Sequence, residues 1–381
     1  MSAVASTADF TSVLSAYTPL DIGQYPVCVR ATVERMRTVA KSSIHFDFDQ
    51  KLGKGAYGAI YKGFYQTPSG NNVTCAIKVF THTSDQQYDC LREAQMHWQS
   101  AGNPHAVDFH GFFTSKTSSE SNILLLDFIE GANLRTVQLS LSNRKSEVVE
   151  LARQLFSYLA QLQLVTPNRT SPLIHCDLSR DNLFWKDRKL TVIDPGIMVP
   201  AAEANWPVTQ KAETRAPEIF LNQGAELSGS LEIVRYNAAI DMWSAGIIIH
   251  EFVVNAGWTT NPIPTQPYGH EEVSLIAHRI GMPSLSYLKS AHCPGKFFIQ
   301  LTAEACTLND PLSKLLPEIP LSELHSTCPA SSIEIYDLIS KLLVWDPATR
   351  LKPQDALAHP LFKQTTTSQT HTKAQSSTQD S

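Results

Sequence analysis

Residues 175–196 read HCDLSRDNLFWKDRKLTVIDPG. A polar loop opens the stretch, and LFWKDRKLTVID then alternates on either side of a charged centre, a pattern that predicts a tight hairpin. Such a hairpin would bring Asn182 and Asp194 near each other across its two ends. A carbonyl oxygen and a carboxylate in that relation suit Mg²⁺, a hard cation that takes oxygen ligands and substrate phosphates. Asp177, in the loop itself, is then left to accept a proton from a hydroxyl. The preceding SEVVELARQLFSYLAQLQLV carries Val148, Leu151, Leu155, Leu159 and Leu162, a buried stripe at helical spacing that would support the loop.

Further upstream the sequence supplies groups suited to a nucleotide. KLGKGAYGAIYKGFY contains Gly53, Gly55 and Gly58 as GxGxxG, flanked by Leu52 and Ile60. The glycines let backbone approach phosphates closely, and the flanking strand pattern suggests a hairpin rather than a strand-to-helix turn. VTCAIKVF follows, a β-branched run of period two that places Ala76 and Lys78 on one face. A small residue beside a lysine suits an adenine ring next to its phosphates. SDQQYDCLREAQMHWQ then opens on a capping-box pattern, Ser84 with Gln87, and puts Glu93 inside a helix from which it could pair with Lys78.

The whole chain bounds these readings. Its 381 residues are 43% hydrophobic and 18% charged, enough to bury a substantial core, and the formal charge of −5 includes no long basic run. Neither nucleic acid nor a membrane surface is an expected partner. Seven cysteines without a CxxC pair argue against zinc and a secreted disulfide framework, which points to a reducing intracellular compartment, cytoplasmic or nuclear. No apolar run approaches the roughly 20 residues needed to span a bilayer, and MSAVASTADF lacks the order of a signal peptide. Residues 1–43 read as an extension with a helix in CVRATVERMRTVAKS, and the Ser/Thr/Gln-rich residues 364–381 as a disordered tail.

From about Phe46 to Phe362 these motifs resemble the protein-kinase family. The resemblance implies an α+β, two-lobed fold over residues 44–363: a small β-rich N-lobe with one main helix (44–129) and a larger, mainly helical C-lobe (130–363). It implies ATP and Mg²⁺, with Gly53, Gly55 and Gly58 over the phosphates, Lys78 on the α and β phosphates and Glu93 holding Lys78. Leu52, Ile60 and Ala76 would line the nucleotide site, Leu126 would be the gatekeeper, and Asp127 and Phe128 would lie beside the adenine. Asp177 would be the catalytic base, and Asn182 and Asp194 the metal ligands. The stretches APE (216–218), DMWSAG (241–246) and LVWDPATRLKPQDALAHPLF (343–362) are similar to the motifs of the substrate-binding lobe, with Glu218 paired to Arg350. SLIAHRIGMPS and the long connection after it resemble the cyclin-dependent-kinase-like group, including the cell-division-cycle kinases.

The chain departs from the family at four positions. Cys176 replaces the loop arginine that receives an activating phosphate, and Pro195 makes DPG of the usual DFG, fixing φ and removing an aromatic ring. Ser179 stands where serine/threonine kinases carry the lysine that neutralises the transferring phosphate, and Lys211 where they carry the threonine that supports it. The last two changes read as one if Lys211 reaches into the space left at position 179, with Arg180 as the competing cation. The leading reading is an active serine/threonine protein kinase acting on a protein substrate, with an activating or scaffold protein as a further partner. A pseudokinase scaffold would bind partners without transferring phosphate. A small-molecule phosphotransferase accounts for HCDLSRDN and IDPG but not for APE, DMWSAG and Arg350.

Overall fold

The computed structural model describes residues 44–55, 58–66, 70–80, 86–113, 122–137, 144–167, 169–204, 209–220, 236–255, 283–284, 286–287 and 333–363. The expected helix in residues 28–42, the Ser84 cap, most of SLIAHRIGMPS and the C-terminal tail lie outside these residues. The described residues fall into two compact units, one of those within 44–131, 166–170 and 191–198, the other of the remaining described residues.

In the first unit, β1 (Ile44–Gly55), β2 (Gly58–Gln66), β3 (Asn72–Phe80), β4 (Phe109–Phe113) and β5 (Ile123–Asp127) form one antiparallel sheet in the order β1-β2-β3-β5-β4. Register decides what each face carries, because cross-strand partners share a face and neighbours along a strand do not. Lys78 lies opposite Ile60 on β2 and Leu124 on β5, and Ala76 opposite Lys62 and Leu126, so Ile60, Ala76, Lys78 and Leu126 fall on one face, while Asp127, opposite Cys75, falls on the other. On the Lys78 face, Phe80 and Leu124 pack against Cys90 and Ala94 of the helix α1 (Gln86–Ser100). Cys75, Ile77, Ile123 and Leu125 point the other way and close a separate cluster with Ile44. Gly58 is required by packing, since a Cβ there would lie 2.1 Å from the Val79 carbonyl oxygen.

The second unit is mainly helical. Its central helix α2 (Arg144–Leu162) buries Val148, Leu151, Leu155, Leu159 and Leu162 as the periodicity predicts. It packs against α3 (Ala239–Asn255) and the short α5 (Pro353–Leu357), while α4 (Ile333–Leu342) packs on α3. The expected hairpin turns at Asp187 and Arg188 with φ of 50° and 61°, two left-handed residues as a type I′ turn requires. Buried Gln154 of α2 holds it, donating to the Arg188 carbonyl at 2.7 Å and accepting the Leu190 N–H at 2.8 Å.

Arg350, 4% exposed, donates bidentately to Glu218 at 2.8 and 3.0 Å and also to the Ala239 and Val344 carbonyls. The fork geometry satisfies a buried charge that would otherwise be costly, and it ties APE to the end of the fold. Among the described residues, no helix is long and apolar enough to cross a membrane.

Candidate active site

In the first unit, Lys78 Nζ sits 2.7 Å from each Glu93 carboxylate oxygen and 3.2 Å from Asp194 Oδ1. Lys78 and Glu93 are 6% and 2% exposed. Burial alone pulls the lysine pKa down, but the charges and hydrogen bonds of Glu93 and Asp194 outweigh it and the net shift is upward. The ammonium therefore stays charged at neutral pH. Asp194 holds φ at 58°, a region that aspartate tolerates better than most residues. The strand before it is fixed to the chain at 105–107 by Val107 N–H to Val192 O at 2.9 Å and Val192 N–H to His105 O at 2.7 Å. Gly196 allows the close approach behind it: a Cβ would meet Asp194 Oδ1 and Glu93 Oε2 at 3.1 Å.

Arg92, one residue before Glu93, donates to the carbonyls of Gly196 at 3.2 Å and Met198 at 2.9 Å. It fastens the segment after Asp194 to the helix that carries Glu93, in a chain whose loop has no arginine at position 176. Sequence reading missed it, although its place beside Glu93 was a signal. Arg92→Ala is expected to remove charge-assisted bonds of about 1.5 kcal/mol or more and to lower turnover about tenfold, measured as kcat at saturating ATP.

Along the glycine-rich strand pair, a Cβ on Gly53 or Gly55 would meet no atom within 4 Å, so protein packing does not require glycine at either position. This is the expectation for a backbone that must approach a ligand. Leu52 is 48% exposed, and Leu126 is buried at 7% on β5 next to Asp127. The Asp127 carboxylate is held by His110 Nε2 at 2.6 Å, and Phe128 lies under the Lys62 ammonium at 4.4 Å.

In the second unit, Asn182 directs its amide N–H groups to the Asp177 carbonyl and to Asp177 Oδ2, both at 2.9 Å. The amide oxygen of Asn182 has no donor among the described residues, and an oxygen is the donor type that Mg²⁺ takes. The loop is suspended on buried Asp241 of α3, which accepts the N–H of His175 at 2.6 Å and of Cys176 at 3.0 Å. Burial pushes the Asp241 carboxyl up to about 7, against the pull of those two N–H groups. Cys176 holds φ at 66°, fully buried, with its thiol toward the Ile174 carbonyl and the Tyr236 hydroxyl. Asn182 belongs to the second unit and Asp194 to the first.

Lys211 Nζ lies 2.9 Å from Ser179 Oγ and 3.2 Å from Asp181 Oδ2. The segment that carries it is tied to the loop by Thr209 Oγ1 to Cys176 O at 3.3 Å and Thr214 Oγ1 to Leu178 O at 2.8 Å. Arg180, the competing cation, turns to Glu251 at 2.9 Å with both side chains largely buried. The two departures at 179 and 211 are thus one contact, a hydroxyl and an ammonium with exchanged positions in the chain.

Comparison with known proteins follows the same outline. The chain is 26% identical over 338 residues to "Extracellular signal-regulated kinase 2" of Dictyostelium discoideum, covering 83% of this chain and 78% of that protein. It is 29% identical over 359 residues to "Dual specificity tyrosine-phosphorylation-regulated kinase 2" of Drosophila melanogaster, covering 89% of this chain and 44% of the other. "Mitogen-activated protein kinase 6" of Arabidopsis thaliana is 26% identical over 317 residues, 81% of this chain and 70% of that one. These relatives fall in the CMGC group, which contains the cyclin-dependent-kinase-like enzymes. The sequence profile of the protein kinase domain matches residues 46–362, most of the 381, and the chain belongs to the protein kinase family.

Proposed function

We propose that residues 44–363 form the kinase domain of an ATP-dependent serine/threonine protein kinase, preceded by an extension and followed by a tail. The observation that carries this reading is the Lys211 ammonium at 2.9 Å from Ser179 Oγ, which supports a cation where the catalytic-loop lysine is replaced. In the proposed reaction Asp177 takes the proton of a serine or threonine hydroxyl. The hydroxyl oxygen forms a bond to the γ-phosphorus while the bond from γ-phosphorus to its bridging oxygen breaks, and ADP leaves. Lys211 neutralises charge on the transferring group, and Lys78, held by Glu93, anchors the α and β phosphates. Gly53, Gly55 and Gly58 cover the phosphates, while Leu52, Ile60, Ala76, Leu126, Asp127 and Phe128 receive the adenine. Asn182 and Asp194 would hold Mg²⁺, which when bound offsets phosphate charge. The protein substrate, an activating or scaffold partner and an intracellular setting belong to the same reading.

The backbone beside Lys211 bears on substrate choice. Gln210 holds φ at 67°, and its carbonyl is turned toward Arg215, accepting from Nη2 at 2.9 Å. A substrate backbone running past this point would find the Gln210 carbonyl already taken by Arg215, a loss that proline, having no N–H, does not suffer.

The test is transfer of label from [γ-³²P]ATP to a generic protein substrate, with and without Mg²⁺, followed by identification of the labelled residue. Mg²⁺-dependent phosphoserine or phosphothreonine is expected, and peptides with proline after the acceptor should outperform those with alanine. No incorporation into any protein substrate would support the pseudokinase reading instead.

A further inference from the structure

The cation at the proposed phosphoryl site sits at the end of a flexible, partly exposed side chain that reaches over from another segment. Lys211 is 36% exposed, and a lysine ammonium is a mobile point charge rather than a fixed fork. Something must set where it points. Its Ser179 partner contributes one neutral hydroxyl. The other partner, Asp181, lies between Ser179 and Asn182 on the 3₁₀ turn Arg180–Asn182 and is itself tightly held. Arg135 grips it as a fork, Nε to Oδ1 at 2.6 Å and Nη2 to Oδ2 at 2.9 Å. The same Nη2 reaches Glu213 Oε1 at 2.5 Å, and Glu213 stands on the turn that begins directly after Lys211.

The four charges therefore alternate in a ring that the chain itself closes between residues 211 and 213. A single exposed ion pair would be worth little, but a network with a bidentate arginine in it is the arrangement in which surface charges do fix geometry. Two of the three ammonium donors of Lys211 are taken, and the third has no partner among the described residues.

Resting on the reading of Lys211 as the phosphate-facing cation, we infer that Asp181, gripped by Arg135, is a positioning residue that aims Lys211 at the transferring phosphoryl group. Nothing in the reaction requires Asp181 to touch substrate. Its effect runs through Lys211, and that makes the effect separable.

The experiment is a double-mutant cycle on kcat and on KM for ATP, using the parent, Asp181→Asn, Lys211→Ala and the pair together. Asp181→Asn alone should lower kcat about tenfold, with KM within about twofold, and in the Lys211→Ala background it should change kcat by less than about twofold. Arg135→Ala alters an exposed side chain away from the loop backbone and should show the same loss and the same silence. Equal losses in both backgrounds would mean that Asp181 supports the loop locally and would overturn the inference alone. A faster Asp181→Asn enzyme would overturn it too, since the carboxylate would then be quenching the cation. An unchanged rate for Lys211→Ala would remove the underlying reading and this inference with it.

Discussion

Asp177→Asn is expected to lower kcat for phosphate transfer by about 10² to 10⁴ while leaving ATP binding within a few fold of the parent. The size follows from the role: an amide cannot accept the hydroxyl proton, so the attacking oxygen must lose it to water. The selectivity follows from the neighbours. Asp177 is fixed by the Asn182 amide at 2.9 Å and by its own N–H to His175 Nδ1 at 3.2 Å, and an isosteric asparagine keeps the loop's shape. Lys78, assigned to the nucleotide, is held by its own partners Glu93 and Asp194. Measuring kcat by label transfer, and ATP affinity by direct titration, separates the two effects. Equal transfer by parent and variant would remove Asp177 as the base.

Lys211→Ala is expected to lower kcat by about 10² to 10³, the usual loss when one donor to a developing oxyanion is deleted. The loss should fall on kcat more than on KM for ATP, because the phosphoryl group carries the charge that Lys211 meets during transfer. A solvated loop lysine would give no such loss. The contact with Ser179, which is fully buried, argues against that description, as does the engagement of the other candidate, Arg180, with Glu251.

These two residues also mark how far the sequence could be read. The helix bearing Leu151, Leu155 and Leu159 and the strand bearing Ala76 and Lys78 were legible because amphipathic periodicity is local and the core enforces it. Lys211 was legible only as half of a pair, through its distance from Ala216 and the gap at Ser179. Asp181 was not. Its partners Arg135 and Lys211 lie 46 and 30 residues away, on segments whose approach no spacing rule encodes, and by itself it reads as a solvated acid. The left-handed backbone at Cys176, Asp194 and Gln210 was equally hidden, since no glycine or asparagine announces it. Tertiary contacts hold those residues there: Asp241 takes the Cys176 N–H, Lys78 reaches Asp194, and Arg215 takes the Gln210 carbonyl.

The central claim is that this kinase keeps its phosphate-facing cation by moving it from position 179 to position 211. It is tested most directly by comparing kcat for the parent, for Lys211→Ala, and for the exchange Ser179→Lys with Lys211→Thr. Lys211→Ala is expected to lose about 10² to 10³ in kcat and the exchange to recover most of the loss, because the ammonium again meets a hydroxyl at the same point. A Lys211→Ala enzyme that turns over at the parent's rate would contradict it.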